Sequence, residues 1–134
     1  MKDETQLTEH NLAQSPHGRF LEHAARGELA FQRDGKGEAF FPPRLVSPKD
    51  GTDPVWVVSA GVGTIHSLTL VRHKGEPPLA LAMIDLDEGF RLMSQVDSNH
   101  PESLQIGDRM QVAFRPLAEG QPPMPVFKPL EKST

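Results

Sequence analysis

The chain contains no cysteine. That excludes disulfides, thiolate nucleophiles and every metal site built on sulfur. Tyrosine is also absent, and Phe plus Trp make up only 6% of the residues, which leaves little with which to stack nucleobases. No run of Lys and Arg stands out, and the formal net charge is −4; a nucleic-acid binder would carry a basic face. No apolar run approaches the length that crosses a bilayer. The opening MKDETQLTEHNLAQSPHG has no apolar core of the kind a secretory signal needs, so the expected location is the cytoplasm. There is no GxSxG, P-loop or GxGxxG pattern, and no helix start follows Gly61-Val62-Gly63 as a phosphate loop requires.

What is present is turn chemistry around a concentrated apolar middle. The 134 residues suit one domain, and 13 Pro and 11 Gly accompany a hydrophobic fraction of 37%. The stretch 55–96 holds most of the β-branched and long aliphatic residues. It is cut by Gly61 and Gly63, by 73–78, and by Asp87-Glu88-Gly89. These cuts leave runs of strand length, as in a sheet that folds back on itself.

In chain order, residues 1–14 read as a flexible polar tail. Ser15-Pro16 supplies a cap and a first-turn proline, Phe20, Leu21 and Ala24 share a face, and Gly27 can end the turn. A short helix is expected over 16–26. Residues 28–32 alternate as a short strand. Turns follow at 33–37 and 47–51, with Phe40-Phe41-Pro42-Pro43-Arg44 extended between them. The expected barrel strands are 55–59, 64–72, 79–86, 90–96 and 109–115. A hairpin is expected at Asp87-Glu88-Gly89 and a helical turn at 101–104. In the last strand Met110, Val112 and Phe114 point inward. The glycines at 61 and 63 suggest a bulge or a sharp bend that curls the strand around a small barrel. The strand 64–72 looks apolar on both faces, Ile65 and Val71 on one and Leu68 and Leu70 on the other. The Gly/Pro-rich remainder, with Val126 and Phe127, would cover an open end. The expected fold is mainly β: a five-stranded OB-fold barrel after one short helix and a two-turn knuckle. The corresponding regions are 1–14 (tail), 15–53 (helix and knuckle) and 54–130 (barrel).

Taken together, FLEHAARGELAFQR (20–33), FPPR (41–44), SPKDG (47–51), SAGVGTIHSLTLV (59–71), IDLDEGFRLMSQV (84–96), LQIGDRMQVAF (104–114) and PVFKP (125–129) resemble a bacterial and archaeal family of acyl-CoA-associated proteins. That family is built from an N-terminal helix, a rubredoxin-like zinc ribbon and a C-terminal OB-fold, and its members are often encoded beside thiolase-like proteins. The departure is in the ribbon. The family's second cysteine pair falls here on Ser47 and Asp50, and its first falls near Asp34 and Gly37. Serine and isolated carboxylates do not replace thiolates for zinc, so the ribbon reads as degenerate and no metal is expected. Packing of Phe40, Phe41, Leu45 and Trp56 would then hold the knuckle. A hard-metal site at Asp34 and Asp50 is the lesser alternative.

No complete catalytic constellation is visible. None of the six histidines stands at metal-ligand spacing with another. His66, amid Ser67 and Thr69, is an acid–base or ligand-binding candidate; its plainer reading is a histidine that hydrogen-bonds on a sheet surface. Asp85, Asp87 and Glu88 read as a solvated hairpin. Arg33, Lys36, Arg44 and Lys49 gather near the knuckle, and Arg33 and Arg44 are candidates for the phosphates of an acyl-CoA. Arg44 is the better placed, because Pro42-Pro43 stiffen the backbone before it. The resemblance implies a non-catalytic accessory subunit that helps a thiolase-like enzyme, ketoacyl synthase or aldolase bind or enclose acyl-CoA. The alternatives are a stand-alone acyl-CoA carrier and a single-stranded nucleic-acid binder. Association with a second copy is left open.

Overall fold

A computed structural model of the chain describes residues 15–130; the reading of the tail falls outside them. Helix α1 (Pro16–Ala25) starts as expected, with the Ser15 hydroxyl accepting from the Gly18 N–H at 2.9 Å. Arg26 caps its C-terminus and Gly27 follows at φ 76°. Ten residues are too few for a helix to stand alone, and this one buries Phe20 and Ala24 against the rest of the molecule.

Strands β1 (Ala30–Arg33), β2 (Ala39–Phe40) and β3 (Val55–Val58) form a small antiparallel sheet in the order β2-β1-β3. Strands β4 (Val62–Val71), β5 (Leu79–Leu86), β6 (Arg91–Val96), β7 (Arg109–Pro116) and β8 (Pro123–Pro129) close a barrel in the order β4-β5-β6-β8-β7. A 3₁₀ turn lies at Pro101–Ser103. The mainly β, five-stranded barrel is the one expected, but one of its strands differs. Val55–Val58 pairs with β1, Phe31 opposite Val57, and belongs to the small sheet. The barrel's fifth strand is the proline-rich β8.

A proline-rich strand works here because of which way its missing N–H groups face. The Phe127 carbonyl accepts from the Asp97 N–H at 2.7 Å, on the β6 side. Strand alternation then turns the nitrogens of Pro123, Pro125 and Pro129 the same way. That side is paired with β6 at one position, Val96 with Phe127, whereas the β7 side is paired along the whole strand. Prolines occupy the side with few bonds to lose.

The pairing of β4 with β5 slips between Ile65 and Ser67, so the bulge lies at His66 and not at the glycines. The extra residue reverses the alternation that follows it. Ile65 is buried, and beyond the bulge Leu68 and Leu70 pack against the same core. The strand is therefore not apolar on two faces; one inward set is interrupted by a bulge. Gly61 and Gly63 serve close approach instead. A Cβ on Gly61 would collide with Val112, and one on Gly63 would lie 2.6 Å from the Asp85 carbonyl oxygen.

The core runs through Ile65, Ile84, Leu86, Leu92, Met110 and Phe127, all buried. Val112 and Phe114 pack against it from β7, as expected. Phe31 joins the two sheets: its ring stacks on Phe90, at the β5–β6 hairpin, with centroids 4.5 Å apart.

Candidate functional site

The knuckle turns are held mainly by carboxylates. Asp34 Oδ1 accepts from the N–H groups of Lys36 and Glu38, each at 2.9 Å. Asp50 Oδ1 accepts from Thr52 N–H and hydroxyl at 3.1 and 2.7 Å, and its Oδ2 reaches across to the Gly35 N–H at 3.1 Å. The Thr52 hydroxyl, followed by its N–H, holds the Asp50 carboxyl below the usual aspartate range. Ser47 is buried, its N–H donating to the Thr52 carbonyl at 2.8 Å. Phe41 and Trp56 pack against the core, but Leu45 is 76% exposed and does not hold the knuckle as expected. Hydrogen bonds carry that share because Asp34 and Asp50 stand where each turn presents N–H groups. These positions do not fit zinc: Gly37 offers no donor, and both carboxylates are already engaged. Among the described residues no three His, Asp or Glu side chains converge on a common point.

Arg44 is positioned by an amide clamp. Gln32, buried in β1, donates from Nε2 to the Arg44 carbonyl at 2.9 Å and accepts the Arg44 N–H on Oε1 at 2.7 Å. The exposed side chain then lines a cleft of about 240 Å³ with Arg19, Leu45, Asp53 and Trp56. Among the described residues neither the Arg19 nor the Arg44 guanidinium has an ion-pair or hydrogen-bond partner. Two unpaired forks beside a partly buried indole suit an anion attached to a flat ring. The His23 ring stacks on the indole, with centroids 5.9 Å apart.

The other two candidates lie elsewhere. Arg33 donates to the Gly37 carbonyl at 2.9 Å and sits over the Phe31 ring, closing a turn. His66 lies on the barrel's outside, its Nδ1 3.3 Å from Arg91 Nη2 and 3.4 Å from Asp85 Oδ2. One ring nitrogen can serve only one of these at a time. Hydrogen bonding from Arg91 holds Asp85 below its ordinary value, and Arg109 does the same for Asp87. Of the remaining cations near the knuckle, Lys49 pairs with Glu38 at 2.6 Å. Sequence reasoning missed Arg19, which reads only as a helix residue, and weighed Trp56 as knuckle packing or as a base-stacking aromatic, not as part of an arginine cleft.

A second cavity, of about 430 Å³, lies where α1, the segment 41–43 and the outer wall of the barrel meet. Phe20 and Phe41 form one side, Leu81, Met93 and Met124 the other, with His17 at its edge.

Comparison with known proteins places this geometry. The model of the ChsH2 C-terminal OB-fold domain matches residues 56–115. A DUF35 domain-containing scaffold protein of Methanothermobacter thermautotrophicus is 31% identical over 90 residues, which are 62% of this chain and 68% of that protein. The chain belongs to the DUF35 family. A second relative is the 3-oxo-4,17-pregnadiene-20-carboxyl-CoA hydratase alpha subunit of Mycobacterium tuberculosis, 28% identical over 65% of this chain but only 30% of that subunit. Among solved structures, a DUF35 chain described as "Ltp2-ChsH2(DUF35) aldolase" superposes with a TM-score of 0.75 and 26% identity, covering 87% of this chain and 94% of that one. The match to the ChsH2 OB-fold model ends at Arg115, so the proline-rich strand that closes this barrel lies beyond it. Among the described residues no helix is long and apolar enough to cross a membrane.

Proposed function

We propose that this chain is a non-catalytic accessory subunit of a thiolase-like acyl-CoA enzyme, where it helps to bind or enclose the acyl-CoA. The observation that supports it most is the superposition, over nearly the whole of its partner in the comparison, on the DUF35 chain of an aldolase described by two components. A relative named as a CoA-ester hydratase subunit points to the same class of complex. The residues agree with a supporting role. His66 and Asp85 are half exposed on the barrel wall, and Arg91 competes for the histidine nitrogen. The subunit is read as zinc-free, its ribbon held by Asp34 and Asp50.

Isolation of the tagged chain from its native host, followed by partner identification and assay, tests this. A thiolase-, ketoacyl-synthase- or aldolase-type subunit is expected, with acyl-CoA turnover that requires it. Turnover by the isolated chain would overturn the proposal. The second reading, a stand-alone acyl-CoA carrier, draws on the unpaired Arg19 and Arg44; tight binding of a CoA ester by a chain that recovers no enzyme partner would favour it. The nucleic-acid reading is left with Trp56 alone as a stacking surface, because Phe90 is buried and Phe114 packs against the core.

A further inference from the structure

The apolar cavity and the arginine cleft are parts of one path. Pro43 walls both the cavity beside α1 and a shallow depression over the knuckle. Pro16, Arg44 and Leu45 wall both that depression and the cleft holding Arg19 and Trp56. The cavity, the depression and the cleft thus adjoin in series, from the barrel wall over Pro16 and Pro43 to the two guanidiniums. The chemistry changes along the way. One end offers Leu81, Met93 and Met124, with Met93 68% exposed and Leu117 44% exposed. The other offers two cations, one flat aromatic and Asp53, which leaves one net positive charge.

Resting on the accessory-subunit reading above, we infer that this path is where the chain holds acyl-CoA: the acyl chain in the cavity beside α1, the phosphates at Arg44 and Arg19, and the ring of the nucleotide against Trp56. A cavity of about 430 Å³ is of ligand size. Its thioether side chains adapt to apolar ligands of varied shape. An oligonucleotide would leave the apolar end empty, and a free fatty acid would leave the cationic end unused.

The methionines give a direct readout. In the full chain labelled at methionine methyls, dodecanoyl-CoA is expected to shift Met93 and Met124 together with the Trp56 indole, and to leave Met110, sealed in the core, unmoved. Coenzyme A without an acyl group should shift Trp56 only. Affinity should rise at least about tenfold from butanoyl- to dodecanoyl-CoA, well below the roughly fourfold per methylene that full burial gives. Arg44→Glu should weaken dodecanoyl-CoA about tenfold and leave dodecanoate unchanged. Leu81→Asp, on the outer wall, should abolish the dependence on chain length while partner capture is kept. The assignment is overturned by a silent Met93, by affinity indifferent to chain length, by an Arg44→Glu variant that binds as the parent does, or by loss of partner capture in Leu81→Asp, which would make the cavity a protein interface. If the shifts fail while a thiolase-like partner is still recovered and active, the path is wrong and the accessory reading stands. If they appear and no acyl-CoA enzyme is ever recovered, the path stands and that reading fails.

Discussion

In the barrel, β5 turns Ala80, Ala82, Ile84 and Leu86 inward, and Met110 and Phe127 meet them from the opposite wall. In the small sheet, Phe31 and Gln32 of β1 are buried too, but the turns at 35–38 and 48–52 are exposed. Turns of that shape expose N–H groups, and here Asp34 and Asp50 collect them. Burial is non-directional and tolerates small shifts; a carboxylate accepting from fixed N–H groups does not. A region too small to build a core can thus keep a defined shape by concentrating acceptors at a few points. It acquires a dependence on pH that the buried core of the barrel does not share.

Phe31→Ala removes the joint between the two regions. A loss of about 3–5 kcal/mol is expected, read as a lower midpoint in denaturant. Trp56 fluorescence and far-ultraviolet dichroism should still change together; separate transitions would show that the small sheet folds without the barrel. Asp34→Ala attacks the knuckle alone. It strips acceptors from two N–H groups, at about 1–3 kcal/mol, and hydrogen exchange should quicken at Lys36 and Glu38 while the amides of β5 keep their protection. Uniform quickening would contradict the division.

Acid should loosen the same turns. The folded-state pKa of Asp50 lies below its unfolded value, so its contribution is complete above the unfolded value and is lost as pH falls through the folded one. Below about pH 4 the Gly35 and Thr52 amides, which Asp50 holds, should lose protection, and the exposed pairs Asp85–Arg91 and Asp87–Arg109, whose carboxyls are lowered in the same sense, should loosen with them. Protection unchanged to pH 2 would count against the carboxylate account. The smallest expected effect is that of a metal chelator: the melting curve should not move. A drop in midpoint on chelation, restored by zinc, would end the zinc-free reading.

Much of the fold was legible because its signals are local. Ser15-Pro16 started the helix, and Asp87-Glu88-Gly89 made a hairpin with the Gly89 N–H donating to the Leu86 carbonyl at 2.9 Å. The errors arose where partners are distant. The run VWVV suits either sheet, and only Ala30–Arg33 decides for the smaller one. A strand with prolines at 123, 125 and 129 reads as an extended tail until one sees which edge they face. The bulge at His66 was hidden by its polar neighbour Ser67, so one inward set looked like two faces. At the candidate site, Arg44 was picked out by its stiffened approach. Arg19 and Trp56 join it only through the packing of α1 beside β3, for which no spacing in the sequence stands.

The proline-bearing strand β8 has a mechanical consequence. Its β6 side is laced at one residue pair, so the barrel is less a sealed tube than a rolled sheet with a loose overlap. Met124 and Pro125 belong to this strand and also wall the apolar cavity. A shift of β8 away from β6 would therefore also move one wall of that cavity.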